Sequence, residues 1–351
     1  MKTIRCSFLA FLLASAALLA AAQQAPAPGL RSAQETHLRN LRQLTFGGTN
    51  AEAYFSADGR QLIFQATPPG GQCDQIYTMN TDGSNVRQVS KGGRPTCAYF
   101  FPGGKRILYA STYKSNMACP PPPDWSKGYR WALYPSYEIY AANPDGSDIR
   151  QLTHHWGYDA EATISPDGKK IVFTSLRHGN LDIYTMDAGG GHVQRLTHEL
   201  GYNGGPFFSP DGQWIVYRAY HPTSKKDIAE FQGLLRQGLY HPTTLEIWIM
   251  RADGSGQRQI THLNAASFAP FFFPDGKRII FSSNVHSGPG MGNFELYTVD
   301  LDGGGLERIT YAEGFDGFPM FSPDGSKLVW ASQRNSKSRE TIDIYIADWV
   351  P

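Results

Sequence analysis

One strand-turn-strand motif occurs six times in the 351 residues and constrains the fold more than any other feature. Each copy has an apolar stretch, a turn built on Pro-Asp-Gly or a variant, and a second stretch rich in aromatic and β-branched residues. Glycine supplies the positive φ of such a turn, and aspartate can bond its backbone. The copies are AYFSADGRQLIFQA from Ala53, AYFFPGGKRILYAS from Ala98, ATISPDGKKIVFTS from Ala162, PFFSPDGQWIVYRA from Pro206, PFFFPDGKRIIFSS from Pro270 and PMFSPDGSKLVWAS from Pro319.

A second motif follows five of these copies and supplies a third strand, another glycine turn and a fourth strand. It reads QIYTMNTDGSNVRQVS from Gln75, EIYAANPDGSDIRQLT from Glu138, DIYTMDAGGGHVQRLT from Asp182, EIWIMRADGSGQRQIT from Glu246 and ELYTVDLDGGGLERIT from Glu295. Four strands in about 45 residues are typical of a propeller blade rather than a sandwich.

The sixth unit ends after its third strand, DIYIADWVP from Asp343, whereas LRNLRQLTFGG at residues 38–48 matches the end of a repeat with no beginning. Residues 41–45 would pair beside residues 344–347 and cover an edge that otherwise invites association. The sequence therefore predicts an all-β, six-bladed propeller over residues 38–351, closed by its N-terminal strand.

Two segments carry a family resemblance. ISPDGKKIVFTS followed by DIYTMDAGG, and FSPDGSKLVWAS followed by DIYIADW, resemble the WD40-like PD40 repeats of the TolB-type β-propeller. The resemblance implies the fold and leaves function open, because this architecture carries adaptors, peptidase-gating domains, lyases and hydrolases. TolB itself has an additional N-terminal α/β domain. Residues 23–41 are too short for one, so a direct Tol-system role is not predicted.

The N-terminus has the pattern of a secretory leader. Lys2 and Arg5 precede an apolar run over residues 7–19 and three alanines at residues 20–22. This pattern predicts a signal peptide at 1–22, a flexible lead-in at 23–37 and a periplasmic or secreted protein. The run is too short for a membrane anchor, so we expect no membrane insertion. The net charge of +1 argues against nucleic-acid partners.

Export gives the cysteines a possible role, because an oxidising compartment lets thiols pair. Cys73, Cys97 and Cys119 remain after cleavage, and their spacing leaves all three pairings open, as well as three free thiols. A Cys73–Cys119 disulfide is our candidate, since it would attach the first long insertion to a neighbouring blade.

Long insertions fall on one rim of the propeller, opposite the tight turns. They are residues 111–138 and residues 220–246, the second with a short helix predicted at 225–236. Long loops on a rigid scaffold usually carry function. The rim aromatic candidates for partner binding are Trp125, Trp131, Tyr134 and Trp156.

The entrances to the innermost strands differ between blades and converge on the mouth of the central channel. The channel-mouth candidates are Asn50, Glu52, Asp159, Glu161, Asn203, Asp316, His154, His155, Tyr158 and Tyr202. A ring of oxygen ligands suits calcium, or the amines and hydroxyls of a ligand. The alternative is a hydrated polar lining. The acid that precedes the third strand in five units is interpreted as structural.

These features favour an exported, monomeric, non-catalytic propeller that binds an envelope or secreted protein, a peptide or a glycan through its rim and channel mouth. The alternative is a lyase or hydrolase that acts on a polysaccharide or peptide at the mouth, with a metal as a possible aid. Acids, histidines and tyrosines suited to such chemistry are present there.

Overall fold

A computed structural model describes residues 30–121, 124, 126, 128–287, 292–336, 338 and 340–351. It contains six antiparallel four-stranded sheets and one helix. Strand β1 (Leu38–Gln43) belongs to the last sheet. Blade 1 has β2 (Thr49–Phe55), β3 (Gln61–Thr67), β4 (Gln75–Asn80) and β5 (Arg87–Gln88); blade 2 has β6 (Pro95–Phe100), β7 (Ile107–Ser111), β9 (Glu138–Ala142) and β10 (Arg150–Gln151), with β8 (Trp131–Ala132) in the insertion between them.

The remaining blades repeat this arrangement. Blade 3 has β11 (Asp159–Ile164), β12 (Lys170–Ser175), β13 (Asp182–Asp187) and β14 (Gln194–Arg195). Blade 4 has β15 (Tyr202–Phe208), β16 (Trp214–Tyr220), β18 (Glu246–Arg251) and β19 (Arg258–Gln259), with α1 (Lys225–Leu235) and β17 (Leu239–Tyr240) inserted. Blade 5 has β20 (Ser267–Phe272), β21 (Arg278–Ser283), β22 (Glu295–Asp300) and β23 (Glu307–Arg308). Blade 6 has β24 (Asp316–Phe321), β25 (Lys327–Ser332), β26 (Asp343–Trp349) and β1.

The predicted ring closure is confirmed. β1 pairs antiparallel with β26, and Arg42 lies opposite Ile346. Leu38 and Leu41 are buried in a hydrophobic core shared by blades 5 and 6. The first strand therefore completes the last sheet and removes its free edge.

The recurrent acid before the third strand has a structural role, as expected. In four blades it accepts a hydrogen bond from the threonine that lies two residues after the fourth strand: from Thr153 to Glu138 at 2.5 Å, from Thr197 to Asp182 at 3.0 Å, from Thr261 to Glu246 at 2.5 Å and from Thr45 to Asp343 at 2.9 Å. Buried carboxylates require such partners. These contacts tie the outermost strand to its neighbour.

The two long insertions contact each other. β8 of the first insertion pairs with β17 of the second, with Trp131 opposite Tyr240. Helix α1 begins after Ser224, whose hydroxyl caps the Asp227 amide, and it buries Phe231 against Tyr240. A disulfide joins Cys73 to Cys119 and attaches the first insertion to blade 1, while Cys97 is a free thiol.

The lead-in was expected to be flexible through residue 37, but residues 30–37 pack against blade 6. The Glu35 carboxylate is fully buried and pairs with Arg334 at 3.1 Å, and the His37 ring stacks on Trp349. A buried ion pair fixes a segment that composition alone suggests is mobile. Residues 1–29 lie outside the described part of the chain. No helix in the described part is both long and apolar enough to cross a bilayer.

Candidate functional site

The central channel is narrowed by one residue from each blade. Every innermost strand has a bulge that shifts its register, and one residue of each bulge is left-handed, with φ between 50° and 59°. The six residues are Glu52, Cys97, Glu161, Gly205, Ala269 and Phe318, and all line the channel. Bulges of this kind re-aim a side chain. We call these six residues the channel ring.

Aromatic residues close the channel below the ring. Tyr54 packs against Tyr99 at 5.6 Å and against Phe207 at 5.5 Å between ring centroids, and Phe207 packs against Phe271 at 5.5 Å. The space left among ring and aromatics is about 30 Å³, roughly the share of one water molecule. The ring therefore forms the floor of a pocket that is closed at one end.

Glu161 and Arg218 form a buried ion pair at this floor. Arg218 also bonds the Tyr202 hydroxyl at 2.8 Å. Glu161 accepts further bonds from the Thr174 hydroxyl at 2.7 Å and the Gly205 amide at 3.0 Å. Arg218 thus balances the charge of Glu161, and both carboxylate oxygens of Glu161 accept hydrogen bonds from the protein. The Nη1 group of Arg218 has no hydrogen-bond partner among the described residues.

Arg218 depends on the glycine in the ring. A Cβ added at Gly205 would lie 2.4 Å from Arg218 Nη1, so only glycine leaves room for the guanidinium. The same guanidinium lies 5.0 Å from the centre of the Trp131 ring, in cation–π geometry. The first insertion thus holds Arg218 from one side and the ring holds it from the other.

Glu52 differs from Glu161 because no cationic side chain pairs with it among the described residues. Burial raises the pKa of Glu52 to about 7; a hydrogen bond with Cys97 opposes this rise and the Glu161 charge adds to it. The same burial, with the nearby carboxylates, raises the pKa of the Cys97 thiol well above its usual value. At neutral pH the floor therefore carries an acid that readily exchanges its proton and an unionised thiol.

Above the floor the channel widens into a funnel of about 1730 Å³. Aromatic side chains from the first insertion and from blades 3, 5 and 6 line much of its wall: Tyr129, Trp131, Tyr134, Tyr137, Tyr158, Phe268, Phe294 and Phe315. Charged groups share the wall, including Arg94, which pairs with Asp74 at 3.2 Å. The funnel is thus a deep pocket with an aromatic wall and a polar floor.

Comparisons with known proteins agree with this architecture. The sequence model of the family described as TolB beta propeller domain, PD40, matches residues 133–238. The structure of a putative TolB from Agrobacterium tumefaciens superposes with a TM-score of 0.57 at 24% identity, over 87% of this chain and 91% of that one. TolB from Acinetobacter baumannii gives a TM-score of 0.56 at 18% identity, over 86% of this chain but only 64% of the other. The chain has the fold of the TolB-type β-propellers.

The fold does not specify an activity for this TolB-like propeller. An oligogalacturonate lyase from Vibrio parahaemolyticus also superposes, with a TM-score of 0.52 at 14% identity over 89% of this chain and 93% of the lyase. No curated protein matches the sequence. Similarity at these identities establishes the fold and leaves function to the residues of the site.

Three of the channel-mouth candidates face the channel, and a fourth lies buried behind one of its residues. Glu52 and Glu161 belong to the channel ring, and Tyr158 lines the funnel. Tyr202 is 1% exposed and lies beneath the wall, where it holds Arg218. The structure therefore places the two acids on the floor and Tyr158 on the funnel wall, with Tyr202 buried behind Arg218.

Four others are wrong as channel-facing residues, because the bulge breaks the alternation of the strand. Asn50, Asp159, Asn203 and Asp316 are 0–6% exposed and bond neighbouring segments instead. Asn50 bonds the Ile342 carbonyl, and Asn203 the Leu181 carbonyl. Asp159 pairs with Arg177, and Asp316 with Arg334, both at 2.9 Å.

The remaining candidates are dispersed. His154, His155 and Trp156 are exposed in the connection between blades 2 and 3, and none of them lines the funnel. Trp131 and Tyr134 do line it. Trp125 lies outside the described residues. Within the described ranges no group of three or more His, Cys, Asp or Glu side chains could hold a metal ion, and the oxygen donors expected for calcium do not converge.

Sequence reasoning missed Cys97, Gly205, Ala269, Phe318 and Arg218. A signal was present, because the six ring residues occupy one column of the repeat, four positions before the turn serine or its equivalent. That column varies from acid to thiol to glycine to alanine to phenylalanine, whereas the next position along the chain is alanine or proline in every copy. Arg218 is likewise the only arginine in a column otherwise filled by smaller residues.

Proposed function

We propose that this propeller is an exported binding protein that takes a chain segment of a protein, peptide or glycan partner into the funnel. The observation that carries the proposal is the funnel itself, with a volume of about 1730 Å³ and a closed floor. Pockets for small molecules typically have about 300–1,000 Å³. The larger volume suits a chain segment better than a single metabolite.

The floor supports binding because two of its groups remain available to a ligand. The Glu52 carboxyl and the Arg218 Nη1 group both border the funnel, and the described residues leave both without an ion-pair or hydrogen-bond partner other than Cys97. An acceptor beside a donor suits the polar end of a chain. The aromatic wall supplies contact area of the kind that dominates binding interfaces.

Binding is favoured over catalysis because Glu161, the second acid of the floor, is already paired within the protein. Glycoside hydrolysis by two carboxyl groups requires both to be free to exchange a proton or attack the substrate. Here Arg218, Tyr202, Thr174 and the Gly205 amide occupy Glu161. Only Glu52 remains available.

The specific observation for an enzyme is the pKa of about 7 of Glu52, which suits a general acid or base at neutral pH. A lyase or hydrolase that acts on a polysaccharide or peptide is therefore the second candidate. Export is supported by the leader pattern, and the Cys73–Cys119 disulfide fits an oxidising compartment.

A pull-down from envelope extracts, followed by affinity measurement on the captured partner, tests the proposal. The funnel variant Tyr129→Ala/Tyr134→Ala removes two wall aromatics and should weaken binding at least about tenfold. The matched control is Phe46→Ala, an aromatic that is 79% exposed and does not line the funnel. Equal affinities for the two variants would contradict funnel binding.

Turnover assays separate the second candidate. Peptides and oligosaccharides are incubated with the wild-type protein and with Glu52→Gln, and products are detected by mass spectrometry. Turnover that disappears in Glu52→Gln, while partner binding persists, would replace the binding proposal with the enzyme.

A further inference from the structure

Blades 3 and 6 share an aspartate–arginine pair that the other blades lack. Asp159 pairs with Arg177 and Asp316 with Arg334, both at 2.9 Å, and each arginine also donates from Nε to a serine hydroxyl at 3.0 Å. The guanidinium groups lie over aromatic rings at 5.0 Å, over Tyr184 in blade 3 and Trp330 in blade 6. At the arginine position the other blades have Pro68, Tyr113, His221 and Val285.

In blade 6 this pair binds a carboxylate from elsewhere in the chain. The Glu35 carboxylate accepts from Arg334 Nη1 at 3.3 Å and from Nη2 at 3.1 Å. The backbone amide of Tyr311 donates to the same group at 3.1 Å. A guanidinium fork and an amide together make a strong carboxylate site. Glu35 is fully buried there, so the blade-6 site is filled.

Blade 3 presents the same donors without an acceptor. His154 corresponds to Tyr311, since each lies three residues after the end of a fourth strand and five residues before the paired aspartate. Over the described ranges, neither the His154 amide nor Arg177 Nη1 has a hydrogen-bond acceptor. The Arg177 side chain is 13% exposed, compared with 3% for Arg334.

From this internal comparison we propose that blade 3 has a carboxylate-binding site, formed by Arg177 and the His154 amide, for an acidic group of a peptide or protein partner. The contacts of the Glu35 carboxylate in blade 6 show how a ligand carboxylate would be bound in blade 3. The ligand group is either an aspartate or glutamate side chain or a chain-terminal carboxylate. Trp156, which is 67% exposed, lies two residues from His154 and offers an apolar contact beside the charge.

Titration observed by NMR tests the site with defined probes. N-acetyl-glutamate N-methylamide supplies a side-chain carboxylate, N-acetyl-glycine a terminal one, and N-acetyl-glutamine N-methylamide is the neutral control. We expect saturable shifts of the His154 amide and the Arg177 Nε–H with either carboxylate and none with the neutral probe. The probe that binds more tightly identifies the source of the natural group.

Variants make the test decisive. Arg177→Gln should abolish the His154 shift, whereas Arg150→Gln, an exposed arginine of the outer strand of blade 2, should leave it unchanged. Asp159→Asn/Arg177→Gln removes both members of the buried pair and guards against misfolding of the single variant. Glu35→Ala should open the blade-6 site and add a response at the Tyr311 amide.

Two results would contradict the carboxylate site in blade 3. A His154 shift that survives loss of Arg177, or a Tyr311 response in Glu35→Ala without any His154 response, would overturn the proposal. Neither Arg177 nor His154 lines the funnel. The variant Tyr129→Ala/Tyr134→Ala should therefore leave the His154 shift intact.

Discussion

Replacement of Gly205 by alanine tests how the funnel floor is assembled. Its backbone φ is +59°, and the added Cβ would lie 2.4 Å from Arg218 Nη1 and 2.8 Å from Cζ. The left-handed backbone alone costs an L-residue about 1–2 kcal/mol. Displacement of Arg218 would also weaken a buried pair whose complete loss costs about 3–5 kcal/mol. Since the arginine can shift in part and keep some of the pairing, we expect a further cost of about 2–4 kcal/mol.

The control is Gly276→Ala, which shares the backbone cost without the clash. Its φ is +70°, and the nearest atom to the added Cβ is Pro210 Cδ at 4.0 Å. For about 310 folded residues, the extra cost corresponds to a melting temperature lower by roughly 3–6 °C than that of the control. Thermal unfolding followed by calorimetry measures the difference. Equal melting temperatures for the two variants would refute the idea that Gly205 is required to seat Arg218.

Three further predictions concern the floor, the disulfide and the ring closure. Burial raises the pKa of Glu52 from 4.5 to about 7, so the folded state binds the proton more tightly and stability falls as pH rises between these values. Glu52→Gln should therefore be about 3 kcal/mol more stable than wild type at pH 8 and equal to it below the lower value. Urea titrations that show no such pH-dependent difference would contradict the environment assigned to Glu52. Cys73→Ser/Cys119→Ser opens a loop with a separation of 46 residues and should cost about 2–4 kcal/mol; reducing agent should destabilise Cys97→Ser but not this double variant. Deletion of residues 38–48 removes β1 and should abolish the cooperative thermal transition, and an unchanged melting curve would contradict closure by that strand.

The fold could be predicted because repeats carry redundant information. Each copy places the same turn and the same alternation of apolar residues, so six imperfect signals reinforce one another. The closing strand within residues 38–48 was identifiable because this segment matches the end of a repeat, and the sixth unit is the one that lacks its fourth strand. Helix α1 was predicted at 225–236 and is observed at Lys225–Leu235.

The site was predictable only in part, because a bulge alters which residues face the channel. In an unbroken strand Asn50 and Glu52 share one side, and so do Asp159 and Glu161. The bulge shifts the register between Ala51 and Tyr54, so Glu52 faces the channel while Asn50 bonds the neighbouring blade. Nothing in a single repeat indicates this change. The contact of Trp131 with Arg218 depends on the pairing of two insertions that lie far apart in the sequence.

The channel ring gives the funnel floor a polar side and an apolar side. Blades 1 to 3 contribute Glu52, Cys97 and Glu161, and blade 4 contributes a glycine that admits Arg218. Blades 5 and 6 contribute Ala269 and Phe318, beneath a cluster in which Phe268 packs against Phe318 at 5.5 Å. Because the polar and apolar sides face each other across one floor, we expect the part of a bound segment that reaches the floor to turn its polar groups toward blades 1 to 4. This asymmetry arises from one column of the repeat.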